Sequence, residues 1–307
     1  MSKTAVLFPG QGSQAVGMGK DLVEAFPEST IWFDRASEAL GFDLAKVCFE
    51  GPKEELTRSD RAQPAIFVHS VIAYELLKKQ TGITPFAAAG LSSGEWAALY
   101  AAGVVSFEDA IRILRVRGEA MQAACTQTAS AMVSLIGLDD DTVKAVCKEA
   151  GVEVANYNSP GQTVISGSKA ACESVPEIAK AKGARMAIPL PVAGAFHSTF
   201  MEPAREVFAE FLEEIEFNEP EFPVYANVSG VEHEDVKAIK LAMPRQITSP
   251  VRWVENVEAM VRDGAEKAVE LGPGKVLSGL VKRIDKSLPT ANVADLAGLE
   301  AAKAFLA

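Results

Sequence analysis

Cysteine is scarce in this sequence, with four residues in 307, at positions 48, 125, 147 and 172 and with no Cys-x-x-Cys pair. That excludes a disulfide framework and fits reduced thiols in a cytosolic protein. Basic charge is also in deficit. Lys and Arg number 30 against 41 Asp and Glu, a formal net charge of −11, so the surface as a whole repels nucleic acid and anionic membrane. It repels an acidic protein partner too, and any such partner needs a local basic patch. Long hydrophobic runs are missing: the most apolar stretch, 86–107, contains Glu95 and three glycines, which argues against a membrane span. The short apolar run before Pro9 and Gly10 is too brief for an export signal. Repeats and low-complexity tracts are absent as well. What remains, 48% hydrophobic and 23% charged residues, is the composition of a folded globular chain.

The hydrophobic pattern sets the organisation. Thr4 to Phe8 reads as a buried strand followed by a glycine-rich loop. Helical patterns cover 29–40 and 63–79, a weak strand covers 83–91, and helices follow over 94–102 and 107–124. Strands alternating with helices predict an α/β layer structure with a largely parallel sheet. Between 131 and 190 the order becomes β-α-β-β-α-β, with Ser159-Pro160-Gly161 as the hairpin turn, which is the split βαβ arrangement of a ferredoxin-like domain. An inserted small domain is therefore expected over 125–193. The α/β pattern returns with an amphipathic segment at 200–217, a strand at 222–228, a helix at 254–262, a strand at 268–271 and a last helix to about Lys286.

Two glycine-rich loops invite a nucleotide reading. Gly10-x-Gly12-x-x-Ala15 matches a loose dinucleotide fingerprint, but the acidic residue near the required distance, Asp34, falls inside a helical pattern. Gly272-Pro273-Gly274-Lys275 has Val at 269, where a phosphate-binding loop needs glycine. A turn opening a helix is the better reading there.

Gly90-Leu91-Ser92-Ser93-Gly94 is a G-x-S-x-G sequence between a strand and a helix. In that context Ser92 sits on a sharp elbow with its hydroxyl exposed; the alternative is an ordinary helix N-cap at Ser92 or Ser93. A nucleophilic serine needs a base, and three histidines exist. His69 lies among apolar residues of a helix and His233 in a polar loop, whereas His197 sits where the chain leaves the small domain and can face an interdomain cleft. On the helix 107–124, Ala110, Ile113, Leu114, Arg117 and Met121 share one face. Arg117 is thus a core-facing charge that requires an anionic partner. Either an internal Asp or Glu or a substrate carboxylate held by its planar fork meets that need.

Taken together, Phe8 to Gln14, Gly90 to Glu95, Arg117-Gly118, Asn156 to Gln162, Ala195-Phe196-His197, Gln246 to Trp253 and Glu270 to Lys275 carry a further resemblance. In order and spacing they resemble the motifs of malonyl-CoA:acyl carrier protein transacylases and of polyketide acyltransferase domains, over nearly the whole chain. The resemblance implies an α/β-hydrolase-like catalytic domain, 1–124 and 194–307, carrying a ferredoxin-like insert, 125–193. It implies an S-malonyltransferase for fatty acid elongation. Ser92 would take the malonyl group from malonyl-CoA as an ester, and the phosphopantetheine thiol of acyl carrier protein would then receive it. His197 would be the base, and the backbone N–H groups of Gln11 and Ser93 the oxyanion hole. Arg117 would hold the malonyl carboxylate, and the backbone carbonyl of Gln246 would orient His197 in place of an Asp. Asn158 would line the cleft, and Phe196 resembles malonyl-selecting rather than methylmalonyl-selecting members.

No metal or cofactor is implied, because CoA and phosphopantetheine enter as parts of the substrates. A cytoplasmic monomer that binds neither nucleic acid nor membrane is expected. Two positions depart from the pattern. Leu91 stands where the family usually has His, and Ser93 where bacterial malonyl enzymes often have Leu. The alternatives are a free-standing polyketide acyltransferase, a serine thioesterase or esterase with an Asp or Glu behind His197, and a non-catalytic carrier-binding scaffold. Acyl carrier proteins are acidic, so the basic patch required by the net charge is expected at Lys180, Lys182 and Arg185 or at Lys275, Lys282, Arg283 and Lys286.

Overall fold

The strands at 4–8, 87–90 and 267–271 are short and buried on both faces, which is what a parallel sheet sandwiched between helices demands. A computed structural model describes residues 2–307. Its strands are β1 (Thr4–Phe8), β2 (Ala87–Gly90), β3 (Ser130–Ile136), β4 (Glu153–Ser159), β5 (Gln162–Ser168), β6 (Met186–Pro189), β7 (Val224–Tyr225), β8 (Lys267–Leu271) and β9 (Thr290–Val293). Five form one sheet in the order β7-β2-β1-β8-β9, with every pair parallel.

Side-chain alternation divides the core of this sheet. Val6, Phe8, Ala88 and Val269 pack on one face, and Ala5, Leu7, Ala87, Ala89 and Ala268 on the other. The helices Ser59–Thr81 and Phe107–Gln127 cover the first face, and Trp253–Arg262 and Val276–Ile284 cover the second. From β1 the chain crosses to β2 on one side and later returns to β8 on the other. The carboxyl ends of these three strands therefore flank a topological switch point, where a parallel sheet leaves a crevice.

The other four strands form an antiparallel sheet in the order β4-β5-β3-β6, the strand order expected of the β-α-β-β-α-β run. Helices Asp140–Ala150 and Lys169–Ala181 cover one face over Val133, Leu135, Val143, Val146 and Ile165. The alternate residues Met132 and Val164 turn the opposite way and join the core of the larger body. Edge strand β4 is also tied to that body: Tyr157 donates to the Val251 carbonyl at 2.9 Å, and Val251 donates to Ala155 at 2.8 Å.

Several boundaries differ from the sequence reading. The helix expected to stop at 124 continues to Gln127, the strand at 222–228 contracts to Val224–Tyr225 beside Pro223, and the amphipathic helix ends at Leu212. The helix ending at Ile284 is not the last, because β9 and the helix Leu296–Leu306 follow it. All four cysteines are free. Among the described residues no helix is long and apolar enough to cross a membrane, and no three His, Cys, Asp or Glu side chains cluster as a metal site requires.

Candidate active site

Strand β2 runs out at Gly90, and the chain reverses through a single 3-10 turn, Ser92–Gly94, into the helix Glu95–Ala101. A Cβ on Gly90 would lie 2.0 Å from the Gly94 carbonyl carbon, and one on Gly94 would lie 2.2 Å from the Phe8 oxygen. Only glycine fits at either place. Ser92 itself is held at φ 54°, a left-handed conformation that costs a non-glycine residue on the order of 1–3 kcal/mol. The Asn227 side chain grips the elbow from behind. Its Oδ1 accepts from Ser92 N at 2.7 Å, and its Nδ2 donates to the Gly90 carbonyl at 2.7 Å. The N-cap alternative fails, because Leu91 occupies the cap and no side chain closes it.

The Ser92 hydroxyl points at His197 instead, with Oγ and Nε2 2.8 Å apart. On the far side of the ring Nδ1 lies 2.8 Å from the backbone carbonyl of Gln246. A carbonyl only accepts, so Nδ1 carries the ring hydrogen and Nε2 is left free to take the serine proton. His197 is buried. Burial, and next the Arg117 charge, push its pKa down from 6.5 to about 4. A depressed pKa leaves the neutral, basic ring in place at every pH above that value. The rate of Ser92 acylation by a thioester is therefore expected to stay level from pH 8 to pH 5 and to fall only near pH 4. A stopped-flow pH series measures this, and a midpoint between 6 and 7 would contradict it.

Arg117 reaches the same point from the helix Phe107–Gln127 and is 1% exposed. Its guanidinium donates to Gln63 Oε1 at 2.7 Å, to Gln246 Oε1 at 2.9 Å and to Ser92 Oγ at 3.3 Å, while its Nε has no partner. No carboxylate lies within ion-pair distance of it among the described residues. Burial lowers its pKa to about 10, opposed by the charge of Glu95, so it stays protonated at neutral pH. Of the two anionic partners considered for Arg117, the internal carboxylate is not in contact.

Glu95 communicates with Arg117 through Gln246, whose amide nitrogen donates to Glu95 Oε2 at 2.6 Å. The carboxylate is itself buried and meets His233 Nε2 at 2.9 Å. His233 does lie in a loop, but it is 6% exposed and locked onto the residue that follows the elbow. His69 is buried in its helix, as its neighbours implied.

Serine, histidine and arginine open into a cavity of about 250 Å³ whose wall includes Gln11, Leu91, Asn158 and Phe196. Met132, Asn156 and Val164 from the small sheet line it as well. Ser93 is buried next to Ser92. The chain from residue 6 to residue 302 matches the model of the acyl transferase domain. The chain belongs to the acyl transferase family.

Relatives and solved structures agree on which branch of the family it is similar to. It is 43% identical to the malonyl CoA-acyl carrier protein transacylase of Haemophilus influenzae over the whole of both chains. To the Bacillus subtilis protein of that name it is 44% identical, over 98% of this chain and 96% of the other. An acyl carrier protein S-malonyltransferase from Vibrio cholerae superposes with a TM-score of 0.94 at 45% identity, covering 98% of this chain and all of that one. A malonyl-transacylase solved with its type II PKS acyl-carrier protein gives 0.96 at 42% identity, covering 99% and 100%.

Three residues that hold this family site together escaped the sequence reading: Gln63, Asn227 and Glu95. Glu95 alone left a signal, as a charged residue inside the most apolar stretch of the chain. Of the two basic groups, Lys182 is paired with Glu149 at 2.8 Å, while Arg185 is exposed. Lys275, Lys282, Arg283 and Lys286 are all exposed, on or beside the helix Val276–Ile284, which contributes Val276, Leu277 and Leu280 to the cavity wall.

Proposed function

We propose that this chain transfers a malonyl group from malonyl-CoA to the phosphopantetheine thiol of an acyl carrier protein, supplying fatty acid elongation. Ser92 Oγ attacks the thioester carbonyl while its proton passes to His197 Nε2, and the backbone N–H groups of Gln11 and Ser93 take the charge that develops on oxygen. Collapse expels CoA, which leaves with the proton from His197. The carrier thiol then gives its proton to His197 and attacks the malonyl ester, and Ser92 departs as the alcohol. Neither step calls for a metal or a resident cofactor. The proposed actor is a monomer in the cytoplasm, and its reduced cysteines agree with that compartment. The division into 1–124 with 194–307 and 125–193 remains the proposed domain assignment, with the cavity between the two.

The observation that carries this reading is the buried Arg117 fork with no carboxylate in contact, 3.3 Å from the hydroxyl of a serine that meets a histidine. A malonyl carboxylate supplies the missing charge, and an acetyl group leaves it missing. The esterase alternative wants an Asp or Glu on His197 Nδ1, where the Gln246 carbonyl sits instead.

Intact-mass measurement after brief mixing tests the transfer. Malonyl-CoA is expected to add one malonyl group, which persists in buffer and disappears when holo acyl carrier protein is added. Rapid loss to water would mark an esterase, and no adduct would end the proposal. Exposed Lys282 and Lys286 stand beside the cavity helix, so Lys282→Glu with Lys286→Glu is expected to raise the KM for the acidic carrier by about tenfold while sparing loading from malonyl-CoA.

A further inference from the structure

His197 is held at φ 58°, in the left-handed region, and a residue other than glycine stays there only where its surroundings fix it. The fixing contacts come largely from the small sheet. At the start of β3, Ser130 Oγ accepts from Ala195 N at 3.0 Å. At the start of β4, the Glu153 carboxylate accepts from Thr199 N at 3.1 Å. From the interior of β5, Ser166 Oγ donates to the Phe196 carbonyl at 2.9 Å. That last bond matters most, because the Phe196 carbonyl and the His197 nitrogen share one planar peptide unit. Fixing the carbonyl fixes one side of the rotation that sets φ of His197.

The same sheet references the other partner of the ring. Edge strand β4 clasps Val251 through two backbone bonds, and Val251 lies five residues beyond the Gln246 carbonyl that meets Nδ1. The imidazole is thus located at its own backbone and at its Nδ1 by segments anchored to one four-stranded sheet. We infer that Ser166, assisted by Ser130, is a positioning residue for His197, and that the small sheet is the frame against which the base is aligned with Ser92. Ser166 touches neither substrate nor nucleophile and acts only through the histidine. Were its hydroxyl merely a satisfied buried group, its loss would cost stability and leave the chemistry alone.

The inference rests on His197 being the base, and a double-mutant cycle separates the two ideas. Single-turnover acylation by malonyl-CoA is measured for the full chain, Ser166→Ala, His197→Ala and the double variant, with thermal unfolding alongside. Ser166→Ala is expected to slow acylation by about 10- to 100-fold, the scale of an ångström-level misplacement, with KM for malonyl-CoA within about twofold and no further loss in the His197→Ala background. Unchanged acylation in Ser166→Ala, or losses that multiply in the double variant, would overturn the positioning role. Unchanged acylation in His197→Ala would instead overturn the base. If Ser166→Ala does not fold, Ser130→Ala, whose side chain is only half-buried, is read by the same criteria.

Discussion

Ser92→Ala is expected to carry no malonyl adduct at all, and His197→Ala to form one about 10²–10⁴-fold more slowly, the range set by loss of a positioned general base. The two variants report different things. Removing Oγ removes the proposed acyl acceptor, the hydroxyl that meets His197, and the Arg117 contact at 3.3 Å goes with it. Removing the ring leaves Oγ in place on a backbone gripped by Asn227 at 2.7 Å, so the hydroxyl remains but keeps its proton. Stoichiometric labelling of Ser92→Ala at another residue would show that the nucleophile lies elsewhere. A His197→Ala rate within threefold of the unsubstituted chain would show that the 2.8 Å approach to Ser92 has no part in the chemistry.

Arg117→Ala is expected to lower kcat/KM for malonyl-CoA by roughly 30- to 5,000-fold, from the about 2–5 kcal/mol attached to truncating one partner of a buried charge pair. The slow reaction with acetyl-CoA is expected to change by less than about tenfold. The difference between substrates is the informative quantity, because the truncation also strands the Gln63 and Gln246 amide oxygens that the guanidinium satisfies at 2.7 and 2.9 Å. That shared cost falls on both substrates alike. Arg117→Lys keeps the charge and loses the planar fork, and an intermediate rate is expected of it. Equal losses with malonyl-CoA and acetyl-CoA would mean that Arg117 supports the fold of the site without reading the carboxylate.

Much of this was legible in the residues, and the reasons are local. The elbow follows from two glycines four positions apart after a buried strand. Arg117 follows from its place on the apolar face of a regular helix, and the small sheet from six elements in a recognisable order with a Ser-Pro-Gly turn. What the sequence concealed is non-local. Asn227 meets an elbow 135 positions away, and His233 meets Glu95 across 138. No periodicity links such pairs, and a polar segment such as Val231 to Asp235 looks like solvated loop until its partner is known. The final strand and helix were missed for another reason: β9 is four residues long and only partly buried, so little in its sequence announces a strand. Leu91, one of the two positions read as departing from the pattern, lines the cavity with an apolar side chain.

Gln246 offers its backbone carbonyl to His197 and its side chain to both Arg117 and Glu95. On the proposed mechanism, Arg117, which would read the substrate carboxylate, and His197, which would activate the nucleophile, therefore share one residue as a mechanical link. Exchanging Arg117 for a neutral residue removes a hydrogen bond to the Gln246 side chain, whose backbone carbonyl meets His197. Evolution or engineering toward new acyl groups thus has its freer path along the cavity wall, at Leu91, Met132 and Phe196, where shape changes without disturbing the polar chain behind it.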